Sequence, residues 1–181
     1  MSAPGQARPR VAVVVGNPRP ASRTLAAATH LARELSGGEP DLVVDLATLG
    51  GTLLDWADDH VASLVQQVGE ADLVVFACPT YKASITGLLK LFLDRFAPGT
   101  LRGLAVPLML GAGPGHALAP ELTLRPVLAE IGAPTPVRGL YLLDSQHDDP
   151  AAYEPWLTAA RPVVAALLDR PTPAPLTGAR A

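Results

Sequence analysis

Five short stretches of the chain are apolar at almost every residue rather than at alternate ones. They are Val11 to Val15, Leu42 to Leu46, Leu73 to Ala77, Leu104 to Leu110 and Leu140 to Leu143. Strands of this kind belong to sheets covered on both faces. Segments with helical periodicity alternate with them, at about 22–36, 57–69, 84–96, 116–132 and 153–169. Five β/α units in succession predict a doubly wound α/β domain with a five-stranded parallel sheet and helices on both faces. Right-handed crossovers favour the strand order 2-1-3-4-5, and that order locates a ligand before any motif is read. It lies beyond the carboxyl ends of the strands where the winding reverses, between strands 1 and 3. The loops to examine are Gly16–Thr24, Cys78–Ser84 and, beside them, Gly111–His116.

Composition narrows the class. A chain of 181 residues fits one domain, expected over 10–170, with 1–9 and 171–181 expected as disordered tails. Charged residues make up 17%, which argues against disorder as the main state. A net charge of −3 gives no electrostatic footprint for nucleic acid. A single cysteine excludes an internal disulfide and any Cys-based zinc or iron–sulfur site. No run approaches the 18 or so apolar residues of a membrane span, and no apolar leader precedes Val11, so a cytoplasmic protein is expected. The 19 prolines are about twice the usual share and read as turn punctuation.

The first loop reads Gly16-Asn17-Pro18-Arg19-Pro20-Ala21-Ser22-Arg23-Thr24. In the helix that follows, Leu25, Ala28, Leu31, Ala32 and Leu35 share one face, and Ser22 is a natural N-cap. Free N–H groups at a helix start, hydroxyls from Ser22 and Thr24, and the arginines Arg19 and Arg23 make a phosphate cradle. A plain capped helix with solvated arginines is the alternative. With no GxGxxG and no GxxxxGK[ST], the cradle suits a mononucleotide better than a dinucleotide or a triphosphate.

After strand 3 the chain reads Cys78-Pro79-Thr80-Tyr81-Lys82-Ala83-Ser84. Pro79 ends the strand and Tyr81 offers a flat ring with a polar tip, or simply packs on its neighbours. Backbone N–H groups and Ser84 can address the polar edge of a planar heterocycle. Cys78 reads as a small buried hydrophobe. The next helix carries an apolar arc of about 200°, wider than a single-sided surface helix needs. Part of it is expected to meet a second copy of the chain in a homodimer or homotetramer, unless the helix is simply deep in the core. After strand 4, Gly111-Ala112-Gly113-Pro114-Gly115-His116 allows close approach of backbone to a ligand edge, or is a flexible turn. His116 is expected to be capping or solvated, His30 to be exposed. His60 and His147 show no ligand spacing, so no metal is expected.

The chain resembles the NAD(P)H-dependent FMN reductase family, and more narrowly the reductase components of two-component alkanesulfonate monooxygenases. The resemblance rests on Gly16-Asn17-Pro18-Arg19 with Ser22, on Pro79-Thr80-Tyr81-Lys82-Ala83-Ser84 and on Thr86-Gly87-Leu88-Leu89-Lys90. It continues through Gly113–Leu118, Leu124-Arg125-Pro126-Val127-Leu128 and Asp144-Ser145-Gln146. It implies a flavodoxin-like fold with FMN phosphate at Arg19, Ser22, Arg23 and Thr24, beside Asn17. It implies the isoalloxazine against Pro79, Thr80, Tyr81 and Lys82, near Ser84, with the backbone of Gly111, Ala112 and Gly113 at its edge. Two features depart from the family. Leu122 stands where alkanesulfonate-type members often carry a tyrosine associated with a π-bulge and with flavin exchange. The segment Ala47 to Ala57 before the second helix is short.

The implied reaction passes a hydride from NADPH or NADH to FMN, with reduced FMN going to a partner flavin-dependent monooxygenase. The cofactors supply that chemistry and the protein supplies orientation, so no side-chain nucleophile or base is required. A quinone, azo or chromate reductase would share the FMN and the hydride step. A flavodoxin-like electron carrier would hold FMN without a nicotinamide, but the Thr/Gly-rich phosphate loop and strongly acidic surface of such carriers are missing. A receiver domain would need an acidic residue closing strand 3, where Cys78 and Pro79 stand.

Overall fold

The computed structural model describes residues 8–169, so both expected tails lie largely or wholly outside the described residues. The parallel sheet has the order β2-β1-β3-β4-β5 that the alternation of elements predicts. Its strands are β1 Val11–Val15, β2 Leu42–Asp45, β3 Leu73–Pro79, β4 Leu104–Gly111 and β5 Leu140–Leu143. Every residue of β1 and β3 is buried, because alternate side chains feed two separate cores. Ala12, Val14, Val74 and Phe76 face the core under α2 Asp59–Gly69, α3 Gly87–Leu93 and α4 Arg125–Glu130. Val13, Val15, Val75 and Ala77 face the core under α1 Arg23–Ser36 and α5 Pro150–Leu168. The edge strands β2 and β5 are only partly covered.

Caps account for most of the element boundaries. Ser22 accepts a hydrogen bond from the Leu25 N–H at 3.2 Å and starts α1, as the loop predicts. Strand β2 stops one residue short of Leu46 because the Asp45 carboxylate caps a short 3-10 turn, Leu46–Thr48. Helix α3 is shorter than the periodicity suggests: Thr86 caps it, and residues 81–84 form a tight turn instead of its first coil. Pro155 and Pro162, expected as turn punctuation, lie inside α5. There the burial of Tyr153, Leu157, Ala160 and Val164 outweighs two missing N–H donors. His30, expected to be exposed, is half-buried with its ring 4.6 Å from that of Tyr153, because α5 lies across α1.

The single helix expected over 116–132 is three pieces: a 3-10 turn Pro114–His116, a π-helical turn Pro120–Leu124 and α4. The Arg125 N–H bonds the Pro120 carbonyl five residues back. Two prolines explain the widening. Pro120 cannot donate to a preceding turn, and Pro126 has no N–H for the Leu122 carbonyl and crowds it with its ring. The π-turn therefore exists here with Leu122 in place of a tyrosine, and the Leu122 side chain is 68% exposed.

One close approach ties the fold to the site. Gly16, just past β1, donates from its N–H to the Ala77 carbonyl at 2.8 Å and accepts from the Thr86 hydroxyl at 2.6 Å. A Cβ at Gly16 would collide with the Leu89 side chain and lie 2.9 Å from its backbone. Gly16→Ala is expected to lower stability by about 1–3 kcal/mol through this overpacking, read as a shift in the urea midpoint. An unchanged midpoint would show that α3 moves aside freely.

Candidate functional site

The loop between β1 and α1 is folded by its own side chains. Asn17 donates from Nδ2 to the Thr24 hydroxyl at 3.0 Å and accepts the Arg19 N–H on Oδ1 at 3.0 Å. Asn17 is thereby the loop's organiser, and Thr24 sits buried beneath it. Ala21 has φ 51°, a left-handed conformation held by its N–H on the Asp45 carboxylate at 2.9 Å. These bonds bend the chain around a crevice of about 380 Å³. Its walls are Asn17, Arg19, Pro20, Ala21, Ser22, Arg23 and Thr24 from this loop, Pro79 and Tyr81 from the end of β3, and Asp144 from the end of β5. Arg19 and Arg23 have exposed side chains with no acidic partner among the described residues.

Beside the crevice, Tyr81 and Ser84 exchange N–H···O bonds at 3.0 Å in both directions. The two residues between them, Lys82 at φ 52° and Ala83 at φ 63°, are both left-handed and neither is glycine. Each such residue costs about 1–2 kcal/mol. Strain of this kind concentrates at functional sites. Tyr81, which opens this turn, stands 50% exposed and lines the crevice. Preceding it, Thr80 donates its N–H to the Leu110 carbonyl at 2.6 Å, while its hydroxyl is buried with no partner.

The loop after β4 is braced by a residue that the motifs do not indicate. The Tyr141 hydroxyl donates to the Gly113 carbonyl at 2.6 Å, and a Cβ at Gly111 would strike that same phenol. Gly111 therefore makes room for Tyr141. Burial, with the negative charge of Asp144 adding to it, raises the Tyr141 phenol above its usual range. Ala112 is exposed, Gly113 is half-buried in open space, and His116 is exposed at the end of the 3-10 turn. A second hollow of about 390 Å³ is lined by Ala83, residues 114–119, Leu122 and Thr123.

Of the residues expected at the site, Asn17, Arg19, Ser22, Arg23, Thr24, Pro79 and Tyr81 meet in one crevice. Thr80, Lys82, Ser84, Gly111, Ala112 and Gly113 flank it on the neighbouring turns and do not line it. Sequence reasoning missed Asp144, Asp45 and Tyr141. Asp144 closes strand 5 at the active end of the sheet, and that position was its signal. Tyr141 had one too, as a polar tip in an apolar strand. Nothing in the local sequence marks Asp45 as a partner of Ala21. A larger groove, about 570 Å³, lies along α2 between Trp56 and Arg102, away from the crevice.

A doubly wound sheet with a cation-lined crevice over the ends of β1 and β3 is the layout of flavodoxin-like, mononucleotide-binding domains. Comparison with known proteins narrows this class. Residues 9–148 match the family described as NADPH-dependent FMN reductase. The NADH-dependent FMN reductase SfnF of Pseudomonas putida is 34% identical over 157 residues, covering 81% of this chain and 83% of that protein. The FMN reductase (NADPH) of Escherichia coli K12 is 29% identical over 148 residues, covering 76% and 74%. The apo crystal structure of the NADH:FMN oxidoreductase EMOB superposes with a TM-score of 0.79 at 29% identity, covering 90% of this chain and 92% of that one. The chain belongs to the NADPH-dependent FMN reductase family.

Cys78 lies within β3, fully buried, and burial pushes its thiol up to about 12. The neutral thiol therefore predominates strongly near neutral pH, and the thiolate is the nucleophile. Native protein at pH 8 is expected to resist iodoacetamide at this residue and to react promptly once unfolded in urea, read by mass spectrometry. Rapid alkylation of the folded chain would contradict the burial.

Proposed function

We propose that this chain, an NAD(P)H-dependent FMN reductase by family, seats the FMN phosphate in the crevice at the start of α1 and the flavin ring beside Tyr81. One observation carries the reading. Two unpaired guanidinium groups and the N-terminus of a 14-residue helix open into the same crevice as an exposed aromatic ring. The residues fit the group. A helix N-terminus with Arg19, Arg23 and Ser22 favours a phosphate, and the unpartnered buried Thr80 hydroxyl lies between two residues that line the crevice.

The chemistry comes with the flavin and the reduced nicotinamide, between which a hydride passes. The protein's part is placement. Arg19 and Arg23 neutralise phosphate, Ser22 and the first N–H groups of α1 orient it, and Tyr81 supplies an apolar face for a ring system. Thr80, Lys82 and Ser84 flank the ring from the strained turn, and the Gly111, Ala112 and Gly113 backbone, fixed by Tyr141, closes its far side. Relatives named for NADPH and for NADH both occur, and the hydride donor is NADPH or NADH. Reduced FMN leaves as a product for a flavin-dependent monooxygenase, which the open crevice supports. A cytoplasmic location is part of the same reading; no described helix is long and apolar enough to cross a membrane.

The test follows NAD(P)H oxidation against added FMN. Turnover is expected to saturate with FMN. Arg19→Ala with Ser22→Ala should raise the FMN dissociation constant about tenfold or more, while Tyr81→Ala changes mainly the rate or the choice of flavin. Unaltered FMN affinity in the double variant sinks the phosphate placement. Stoichiometric yellow flavin that never turns over would favour an electron carrier instead.

A homodimer or homotetramer is also part of this reading. Leu91 is exposed and Leu88 half-buried on α3, and Leu118 and Leu122 stand exposed near the π-turn. Sedimentation at micromolar concentration is expected to give at least twice the chain mass; a monomer would overturn it.

A further inference from the structure

The carboxylate of Asp144 is the one feature of the crevice that works against its proposed occupant. Asp144 begins the short turn after β5, is half-buried, and lines the same crevice as Arg19, Ser22 and Arg23. It has no hydrogen-bond or ion-pair partner for its carboxylate among the described residues. It does not pair with either arginine, although both open into that crevice. Its backbone carbonyl is the part in use, 3.1 Å from the His147 ring nitrogen. Its charge also lies close enough to Tyr141, on the strand it follows, to add to the burial that raises that phenol.

We propose that Asp144 is a specificity-determining residue that loosens the hold on the phosphate and thereby keeps FMN exchangeable. This deepens the FMN reading above and rests on it. When phosphate draws the guanidinium groups of Arg19 and Arg23, no cation remains for Asp144, and its charge repels the phosphate across a confined crevice. Two like charges a few ångströms apart repel weakly in bulk water and more strongly in a partly enclosed site. Salt screens the effect over roughly 8–10 Å. A flavin without phosphate feels none of it, so the residue acts on the difference between FMN and riboflavin.

The test measures binding, by quenching of flavin fluorescence, for FMN and riboflavin separately. Asp144→Asn keeps the side-chain shape and removes the charge. It is expected to bind FMN about three- to tenfold more tightly, to release it more slowly in stopped flow, and to leave riboflavin affinity unchanged. The gain should shrink as salt is raised. Asp144→Glu keeps the charge and should keep the wild-type ratio of the two affinities, which separates charge from folding defects. An unchanged ratio in Asp144→Asn overturns the proposal. So does a loss of affinity for both flavins, which would make Asp144 a hydrogen-bond acceptor for the ribityl hydroxyls. Wild-type protein that bound no FMN would overturn the FMN reading and this proposal together. Tight FMN binding by wild type with an unchanged ratio would overturn this proposal alone.

Discussion

The close packing of Gly16 on the first turn of α3 is the constraint on which the site depends. At that point β1 has ended, β3 runs alongside, and α3 starts, so three elements converge on one residue without a side chain. The Thr86 hydroxyl serves twice, donating to the Gly16 carbonyl at 2.6 Å and accepting from the Leu89 N–H at 3.2 Å. It thus starts a helix and locks the preceding loop with a single buried group. Any side chain at Gly16 would push the β1–α1 loop away from the end of β3. The walls contributed by Arg19 and Ser22 would then separate from those contributed by Pro79 and Tyr81.

The sheet was readable from the chain because its signal is repeated. Unbroken apolar runs at β1, β3 and β4 can only be buried on both faces, and parallel winding then leaves few strand orders. The phosphate side of the crevice was readable for a similar reason, since a cap, hydroxyls and arginines sit within a few consecutive residues. Asp144 and Tyr141 were harder: the chain marks them only as a carboxylate closing strand 5 and a polar tip in an apolar strand. What each of them touches depends on β5 lying beside β4, a contact between distant segments that leaves no local pattern. Helix periodicity failed where backbone chemistry overrode it: Pro120 and Pro126 break 116–132 into a 3-10 turn, a π-turn and α4. The proline rule failed in the opposite sense at Pro155 and Pro162, which read as turn punctuation but lie inside α5, where burial outweighs their missing donors.

Two ways of storing strain flank the crevice. Ala21 is held left-handed by Asp45, from the end of β2, and Lys82 with Ala83 by the reciprocal Tyr81–Ser84 bonds. Both anchors are polar bonds to backbone N–H groups close to the carboxyl edge of the sheet, the side on which ligands bind in doubly wound folds. The Tyr81–Ser84 bonds fix the backbone on both sides of the strained pair, so the half-exposed Tyr81 ring is presented from a defined turn, where a planar partner can meet it.

A protein that supplies placement rather than reacting groups has one main variable to adjust, which is how tightly it holds each partner. Uniformly stronger binding of a flavin that must leave would slow its release without easing hydride transfer. Cations and a helix N-terminus raise affinity for any phosphate, so an opposing charge is the simplest way to bring it down without disturbing the ring side. The half-buried, unpaired Asp144 reaches the crevice from the end of β5 and lines it together with Arg19, Ser22 and Arg23. Neutralising an arginine would achieve a similar weakening, but it would also remove donors that orient the phosphate. A carboxylate on the far strand weakens the hold and leaves that orientation intact.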